Sequence, residues 1–119
     1  MSIVKFDPAT LLSALPAGAA VAEPIGEPVS QVAVKSFASE RCATSRTGVW
    51  ACTPGRWRRQ IQQAEFCVFL EGDALFEPDH GEPVEIRAGE AVYFPAGSLG
   101  VWTIRQTARK AYVIFDEPQ

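Results

Sequence analysis

The stretch EFCVFLEGDALF, residues 65–76, begins with a carboxylate, Glu65, that precedes a run of apolar residues. A carboxylate in this setting has three uses: it can ligate a metal ion, act as a general acid or base, or serve only as a structural hydrogen-bond acceptor. If Glu65 points into the core, it must be paired or protonated, because an isolated buried charge is costly. The partners of Glu65 therefore decide its role.

Five other side chains have the chemistry to complete a ligand site with this carboxylate: Arg58, Arg59, Trp102, Lys110 and Tyr112. Either arginine of GRWRRQ would hold a carboxylate through two parallel hydrogen bonds. Glu65 would accept a hydrogen bond from an amide or amine, while Trp102 and Tyr112 would supply an aromatic wall. Lys110 and Tyr112 alternate on one predicted strand and so share a face, where they could provide a base and a phenol.

Each of these candidates also has a structural use. An ion pair of Glu65 with an arginine or a lysine across the interior of the domain would satisfy its carboxylate without any ligand. A lysine near the end of a strand is usually solvated, and tryptophans in a small barrel are more often core or interface fillers than ligand platforms. Burial of Glu65 without a cationic partner would favour general acid or base catalysis, which needs a raised pKa. An ion pair between Glu65 and an arginine or Lys110 would instead favour a ligand-binding or structural role for Glu65.

Length and composition describe one ordinary globular domain. The 119 residues suffice for a single core, and 47% are hydrophobic and 21% charged. The net charge of −3 gives no general attraction to nucleic acid or to an anionic membrane. RWRR, residues 56–59, is predicted to form a solvated strand face with one arginine turned inward, since alternate residues of a strand point to opposite sides. No apolar run approaches the roughly 20 residues of a transmembrane helix. We therefore expect neither a nucleic acid nor a membrane partner.

The cysteines argue against a disulfide framework and against a zinc site. Cys42, Cys52 and Cys67 are odd in number and show no C-x-x-C spacing. Cys67 is expected to be a small core residue of an apolar strand.

Asp7 and Pro8 interrupt the apolar N-terminus, and LLSAL is shorter than the roughly 7–15 residues of a signal-peptide core. We therefore expect the protein to be cytoplasmic.

Turn and cap residues predict an all-β domain that follows a short helix and an extended arm. Asp7 is the expected N-cap, with Pro8 in the first turn and Pro16 beyond the end. A stretch rich in Pro, Gly and Ala then forms the arm, so we divide the chain into an N-terminal helix and arm (1–35) and a barrel (36–119). Strands are predicted near 32–37, 47–52, 57–62, 65–71, 74–78, 83–87, 91–94, 100–105 and 109–115.

The strand FCVFL, residues 66–70, has no polar face, so both of its sides should be covered. One side is the barrel interior. The other side meets either a second subunit or the N-terminal arm of the same chain. We favour the second subunit, which predicts an isologous homodimer.

Two stretches resemble the motifs of the cupins. GEAVYFPAGSLGVWTI is similar to the second motif, with Gly89, Pro95 and Gly97 in register, and EFCVFLEG is similar to the end of the first, with Glu65 and Gly72 in register. Further similarity, over roughly residues 47–115, is to the subfamily related to ureidoglycine aminohydrolase and an ethanolamine-utilisation cupin; it lies in GVWACTPGRWR, GEPVEIRAGEAVYFPAG and RKAYVIF. The resemblance implies an RmlC-like cupin double-stranded β-helix, a jelly-roll barrel that binds small ligands inside.

The resemblance also implies where a metal would be bound, and this chain departs from the pattern there. Metal-dependent cupins hold manganese, iron or zinc through three imidazoles and one carboxylate, but Gly100 stands at the histidine of the second motif and Ile104 at its asparagine. The histidines of the first motif fall at the following positions: Arg58 and Gln60, or Arg59 and Ile61. One carboxylate gives too little affinity for a transition metal, so we expect no metal ligands and no cofactor.

Two substitutes for the missing ligands are conceivable from the sequence. His80 lies in the turn EPDHGEP, where an exposed histidine is expected rather than a ligand. The second substitute is a rebuilt metal site in which Glu65 acts together with Cys67 or Tyr112.

Three functions follow from these residues. The first is a metal-free, dimeric cupin that binds a small polar metabolite with carboxylate, amide or ureido groups. The second is an enzyme of ureide or amine catabolism with Glu65 as general acid or base. The third is an interaction module whose barrel is filled by Trp102 and its neighbours, leaving no cavity.

Overall fold

The computed structural model describes residue 3, residues 5–37 and residues 45–115. The elements in chain order are α1 (Pro8–Ser13), β1 (Ala19–Ala20), β2 (Gln31–Phe37), β3 (Ser45–Cys52), β4 (Gly55–Ile61), β5 (Glu65–Pro78), β6 (Val84–Arg87), β7 (Ala91–Phe94) and β8 (Ser98–Phe115). Within these residues, no helix is long and apolar enough to cross a membrane. The chain is thus mostly β, as predicted.

Helix α1 begins where its cap residues predict. The Asp7 side chain accepts a hydrogen bond from the Ala9 N–H at 3.0 Å, and Pro8 occupies the first turn, where its missing N–H costs nothing. The buried residue of the helix is Leu12, and α1 packs against β3. The predicted short N-terminal helix is confirmed.

Two long, bent strands turn the antiparallel sheet into a jelly-roll barrel. The C-terminal half of β8 pairs with β3 and the N-terminal half of β5, and β2, β1 and β7 complete this layer, which we call layer one. The N-terminal half of β8 pairs with β4 and the C-terminal half of β5, and β6 completes layer two. The all-β jelly-roll barrel expected from the sequence is confirmed.

β5 and β8 each unite two of the predicted strands. Residues 65–71 and 74–78 form one strand, and residues 100–105 and 109–115 form another, because register shifts between Phe69 and Ala74 bend the pair without ending it. Gly72 lies within this bend at φ +116, and a Cβ there would be 2.6 Å from the Cα of Ala108. Only glycine allows so close an approach in this conformation.

The barrel interior is apolar and largely aromatic. Alternation along the strands turns every second side chain inward, so that Cys67 and Phe69 of β5 are 0% and 1% exposed. The same core contains Trp50, Cys52, Trp57, Ile61, Ala74, Phe76, Ile86, Phe94, Trp102, Ile104, Ala108 and Tyr112. The predicted role of Cys67 as a small core residue is confirmed, whereas Cys42 lies outside the described residues.

The arm is extended and is hydrogen-bonded to both layers. β1 pairs with β2 at the edge of layer one. Beyond it, Ile25 donates its N–H to the Arg56 carbonyl at 2.8 Å, and the Glu23 carbonyl accepts from the Arg58 N–H at 3.0 Å, both at the edge of β4 in layer two. The arm therefore joins the two layers along one side of the barrel. β2 runs through the division that we predict between residues 35 and 36.

The strand at residues 66–70 has one covered face and one open face within the single chain. Phe66 and Leu70 point away from the barrel and are 42% and 38% exposed. α1 lies over β3, where Val49 is fully buried, and a groove separates α1 from Leu70. The chain's own N-terminal region therefore leaves most of this face uncovered.

Candidate functional site

Glu65 and Lys110 form a buried ion pair inside the barrel. Glu65 opens β5, Lys110 lies on β8, and strand alternation turns both side chains inward. The two residues are only 4% and 5% exposed. The Lys110 Nζ donates a hydrogen bond to the Glu65 Oε2 at 2.6 Å. The cationic partner that a buried Glu65 requires is therefore Lys110, and neither of the two candidate arginines.

Aromatic rings enclose the Lys110 ammonium on its remaining sides. The Nζ lies 4.3 Å from the centre of the Trp50 ring, which is within cation–π range. Phe69 and Phe94 follow at 5.7 and 6.0 Å. With little water nearby, the attraction between the ammonium and the Glu65 carboxylate is stronger than it would be at the surface.

The ion pair forms part of the lining of a small cavity at the mouth of the barrel. The cavity measures about 170 Å³ and is lined by Val32, Val34, Trp50, Arg59, Glu65, Lys110, Tyr112 and Ile114. This volume equals about five or six water molecules, so it suits a small ligand. Arg59, Glu65 and Ile114 also line a more polar groove of about 350 Å³ next to it, which leads to the loop at residues 62–63.

Tyr112 contributes its phenol to the same lining. The ring is 7% exposed and shares the inner face of β8 with Lys110, as the spacing predicts. The Tyr112 hydroxyl lies 3.4 Å from the Ser36 Oγ, and its backbone carbonyl accepts a hydrogen bond from the Thr47 hydroxyl at 2.7 Å. These contacts hold the ring at the cavity wall.

The two adjacent arginines point to opposite sides of β4. Arg58 is on the outer side, where its Nη1 donates to the Asp79 Oδ1 at 3.0 Å. This pairing raises the pKa of Arg58 and lowers the pKa of Asp79. Arg59 is two residues from Trp57 and so shares the inward-facing side of β4 with it. The Arg59 guanidinium lies 6.0 Å from the centre of the Trp57 ring, and Arg59 lines the cavity. Only Arg59 is therefore placed to meet a ligand in the barrel mouth.

Trp102 lies deeper, at the centre of a cluster of rings. It is 1% exposed. Its ring centre is 5.0, 5.8, 6.2 and 6.3 Å from four others, those of Phe76, Phe94, Phe69 and Trp50. The cavity lining includes Trp50 in its place. Trp50 was missed as a site residue because only the cross-strand pairing Trp50↔Lys110 reveals its contact with the ammonium.

The positions where cupins place their metal-binding histidines do not fit a metal in this barrel. Gly100 lies opposite Arg59 in the β4–β8 pairing, and a Cβ at Gly100 would be 2.5 Å from the Glu77 carbonyl oxygen and 2.7 Å from the Phe76 Cζ. Ile61 is a core residue. In the described part of the chain, no group of three or more His, Cys, Asp or Glu residues could hold a metal ion.

The substitute ligands His80 and Cys67 lie in unsuitable places. His80 is exposed in its turn. Cys67 is near Glu65 but is fully buried in the core, and burial raises the pKa of its thiol to about 11, so a metal ion would have to displace its proton. The Cys67 thiol donates instead to the Val92 carbonyl at 3.7 Å. Burial also raises the pKa of Cys52.

Changing Gly100 to alanine should lower the free energy of unfolding by about 1–3 kcal/mol, the usual cost of overpacking a filled core. The new methyl group would press on a backbone carbonyl and on the Phe76 ring. Urea denaturation measures the loss. Shortening Phe76 to leucine in the same chain relieves only the side-chain contact, so the double variant should lose less stability than the sum of the two single variants. Unchanged stability of the Gly100→Ala protein would show that the space is open.

The family of the chain follows from its sequence. The model of the EutQ-like cupin domain matches residues 39–112, more than half of the chain. The chain is an EutQ-like cupin. No curated protein matches it. The resemblance to the cupins that the two motifs indicate is thereby confirmed.

Solved structures similar to this EutQ-like cupin agree on the fold. The Clostridium difficile EutQ protein is 19% identical with a TM-score of 0.65, over 78% of this chain and 75% of the other. A Rhizobium leguminosarum protein of unknown function is 22% identical with a TM-score of 0.71, over 98% and 100%. A Pseudomonas syringae protein of the DUF861 family, also of unknown function, is 23% identical with a TM-score of 0.73, over 84% and 43%. At such identities the likeness extends to the fold alone.

Proposed function

We propose that this protein is a metal-free cupin that binds a small carboxylate-bearing metabolite at the mouth of its barrel. The observation that carries the proposal is the composition of the 170 Å³ cavity, which brings Lys110, Arg59 and Glu65 to one lining. An apolar hollow with a few convergent polar groups is the usual form of a small-molecule site. The Lys110 ammonium supplies, beside Glu65, the positive charge that a metal ion supplies in other cupins.

The charges of the lining favour an anion. Glu65 neutralises Lys110 through their 2.6 Å contact, and Arg59 forms no ion pair within the described ranges. One positive charge therefore remains for a monoanionic ligand. A planar guanidinium suits a carboxylate, with which it forms two parallel hydrogen bonds. Tyr112 and the remaining acceptor capacity of Glu65 suit a neighbouring hydroxyl, amide or amine.

The test is to measure binding of lactate and propionate by calorimetry or by chemical-shift perturbation. Arg59→Gln should weaken binding about 10- to 100-fold, since a hydrogen bond to a charged group contributes about 1.5–3 kcal/mol. Arg58→Gln is the matched control, because its side chain pairs with Asp79 on the outer side and should leave affinity unchanged. Equal loss in both variants, or no binding by the unaltered protein, would contradict the proposal.

The two other functions are less well supported. An enzyme in which Glu65 alone is the general acid or base is less well supported, because its buried carboxylate is paired with the Lys110 ammonium at 2.6 Å instead of lying in the core without a cationic partner. An interaction module with a filled barrel agrees with the ring cluster around Trp102. It leaves the cavity beside Lys110 without a role.

A homodimer is part of the same proposal. The outer side of layer two carries ion pairs, Arg56–Glu77, Arg58–Asp79 and Arg105–Glu85. The outer side of layer one instead exposes Phe66, Leu70 and Tyr93, with Phe66 and Tyr93 adjacent across two strands. A second copy of this apolar face is self-complementary and would cover it.

We keep the cytoplasm as the proposed location, which the free thiols of Cys52 and Cys67 favour.

Changing Phe66 to glutamate should convert the dimer to a monomer, because it places a charge at the centre of the proposed interface. Light scattering after size-exclusion chromatography gives the mass. Gln106→Glu adds the same charge at an exposed position of the bend and should leave the mass of a dimer. A monomeric unaltered protein would contradict the proposed dimer without affecting the proposed ligand site.

A further inference from the structure

Lys110 is unusual among the lysines of this chain because it is buried and yet lines a cavity. The chain has three lysines. Lys5 and Lys35 are exposed, whereas Lys110 is 5% exposed and contributes to the lining of the 170 Å³ hollow. A lysine is seldom buried, because its charge is costly to remove from water. In apolar sites this amine is also a nucleophile that forms Schiff bases with carbonyl compounds.

We propose that Lys110 forms a reversible imine with the carbonyl group of a small 2-oxo acid. The inference rests on the proposed function, since Arg59 holds the carboxylate of the same ligand. A 2-oxo acid carries its carbonyl next to its carboxylate, so one molecule can meet the guanidinium and the amine that line one hollow of about five or six water volumes. The inference adds a covalent step to what is otherwise a binding site.

The step balances without an oxidant or a reductant. The Lys110 ammonium passes one proton to the Glu65 carboxylate, and the free amine attacks the carbonyl carbon, which gives a carbinolamine. Glu65 then returns the proton to the hydroxyl group, the C–O bond breaks, and one water molecule leaves. The product is a protonated imine, in which the Lys110 nitrogen is doubly bonded to the former carbonyl carbon and carries one hydrogen and the positive charge. The 2.6 Å contact from the Lys110 Nζ to the Glu65 Oε2 provides the path for the proton in both directions.

The surroundings of Lys110 suit the product as well as the starting ammonium. The protonated imine keeps one positive charge at nitrogen, so it keeps its ion pair with Glu65 and its place over the Trp50 ring, 4.3 Å from the nitrogen. No charge is left unpaired in the barrel at either end of the reaction. The released water can leave through the polar groove that shares Arg59 and Glu65 with the cavity.

The experiment is reductive trapping. Protein and pyruvate are mixed with sodium cyanoborohydride, which reduces an imine to a stable secondary amine, and the modified lysine is located by peptide mass mapping. Lys110 should carry at least about tenfold more label than exposed Lys35, because a bound carbonyl has a high effective concentration. Label on Lys35 equal to that on Lys110, or no label on Lys110, overturns the imine.

Two controls separate this inference from the proposed function. Lactate has the same carboxylate and carbon chain but no carbonyl, so it should bind and give no label. If pyruvate and lactate both bind and Lys110 stays unmodified, the imine is wrong and the carboxylate site stands. If neither acid binds and no label appears, the proposed function fails and the imine fails with it. Lys110→Met should lose the label, whereas Lys35→Met, a change at an exposed position of β2, should keep it.

Discussion

Replacing Lys110 by methionine should lower the free energy of unfolding by about 3–5 kcal/mol, the cost of leaving one partner of a buried ion pair uncompensated. The change removes the ammonium that meets the Glu65 carboxylate at 2.6 Å, where both side chains are almost fully buried. Methionine keeps an unbranched apolar chain only one atom shorter than that of lysine, so the loss reports mainly on charge rather than on packing. Urea denaturation at neutral pH provides the measurement.

The double variant Glu65→Gln/Lys110→Met is the control for this prediction. It removes both charges at nearly constant volume, and replacing a whole buried pair by neutral groups is often neutral or even stabilising. Most of the stability lost in Lys110→Met should therefore return, and with the single variant Glu65→Gln the double-mutant cycle gives the coupling energy of the pair. A loss below about 1 kcal/mol in Lys110→Met would match an exposed ion pair and would contradict the buried one.

Replacing Trp102 by alanine should also cost about 3–5 kcal/mol, as for other large aromatic residues in a core. Trp102 is 1% exposed and contacts the rings of Trp50, Phe69, Phe76 and Phe94. The cavity left behind cannot close easily, because the neighbouring rings are fixed to three different strands, β3, β5 and β7. The same denaturation experiment measures the loss.

The milder change Trp102→Phe shows whether this residue has a role in binding. It keeps one ring in the cluster, so the protein should stay folded and should keep its affinity for lactate, because Trp102 is not part of the cavity lining. Trp50→Phe is the matched variant, and it should weaken binding, since Trp50 lines the cavity and covers the Lys110 ammonium. A folded Trp102→Phe protein that no longer binds would return Trp102 to the site, as the sequence alone suggests.

Local patterns were enough to predict most of the fold. Asp7 and Pro8 start a helix through their own backbone chemistry, and turn residues bound each strand, so both features are encoded within a few residues of where they occur. The cupin motifs then indicate the barrel and place Glu65 at the head of its strand. The union of 65–71 with 74–78 was not predicted, because a bulge that bends a strand gives the same local signals as a break.

For the candidate site as well, some features could be predicted from the sequence and others only from the tertiary structure. Sequence alone identified the side chains whose chemistry suits a ligand, and strand parity placed Lys110 and Tyr112 on one face. It could not choose between Arg58 and Arg59, because adjacent residues differ in facing and the parity of β4 depends on its pairing with β8. The partner of Glu65 lies 45 residues away in the chain. Such contacts are decided by how strands pair across the barrel, so only the tertiary structure shows that Lys110 holds Glu65 and that Trp50 covers Lys110.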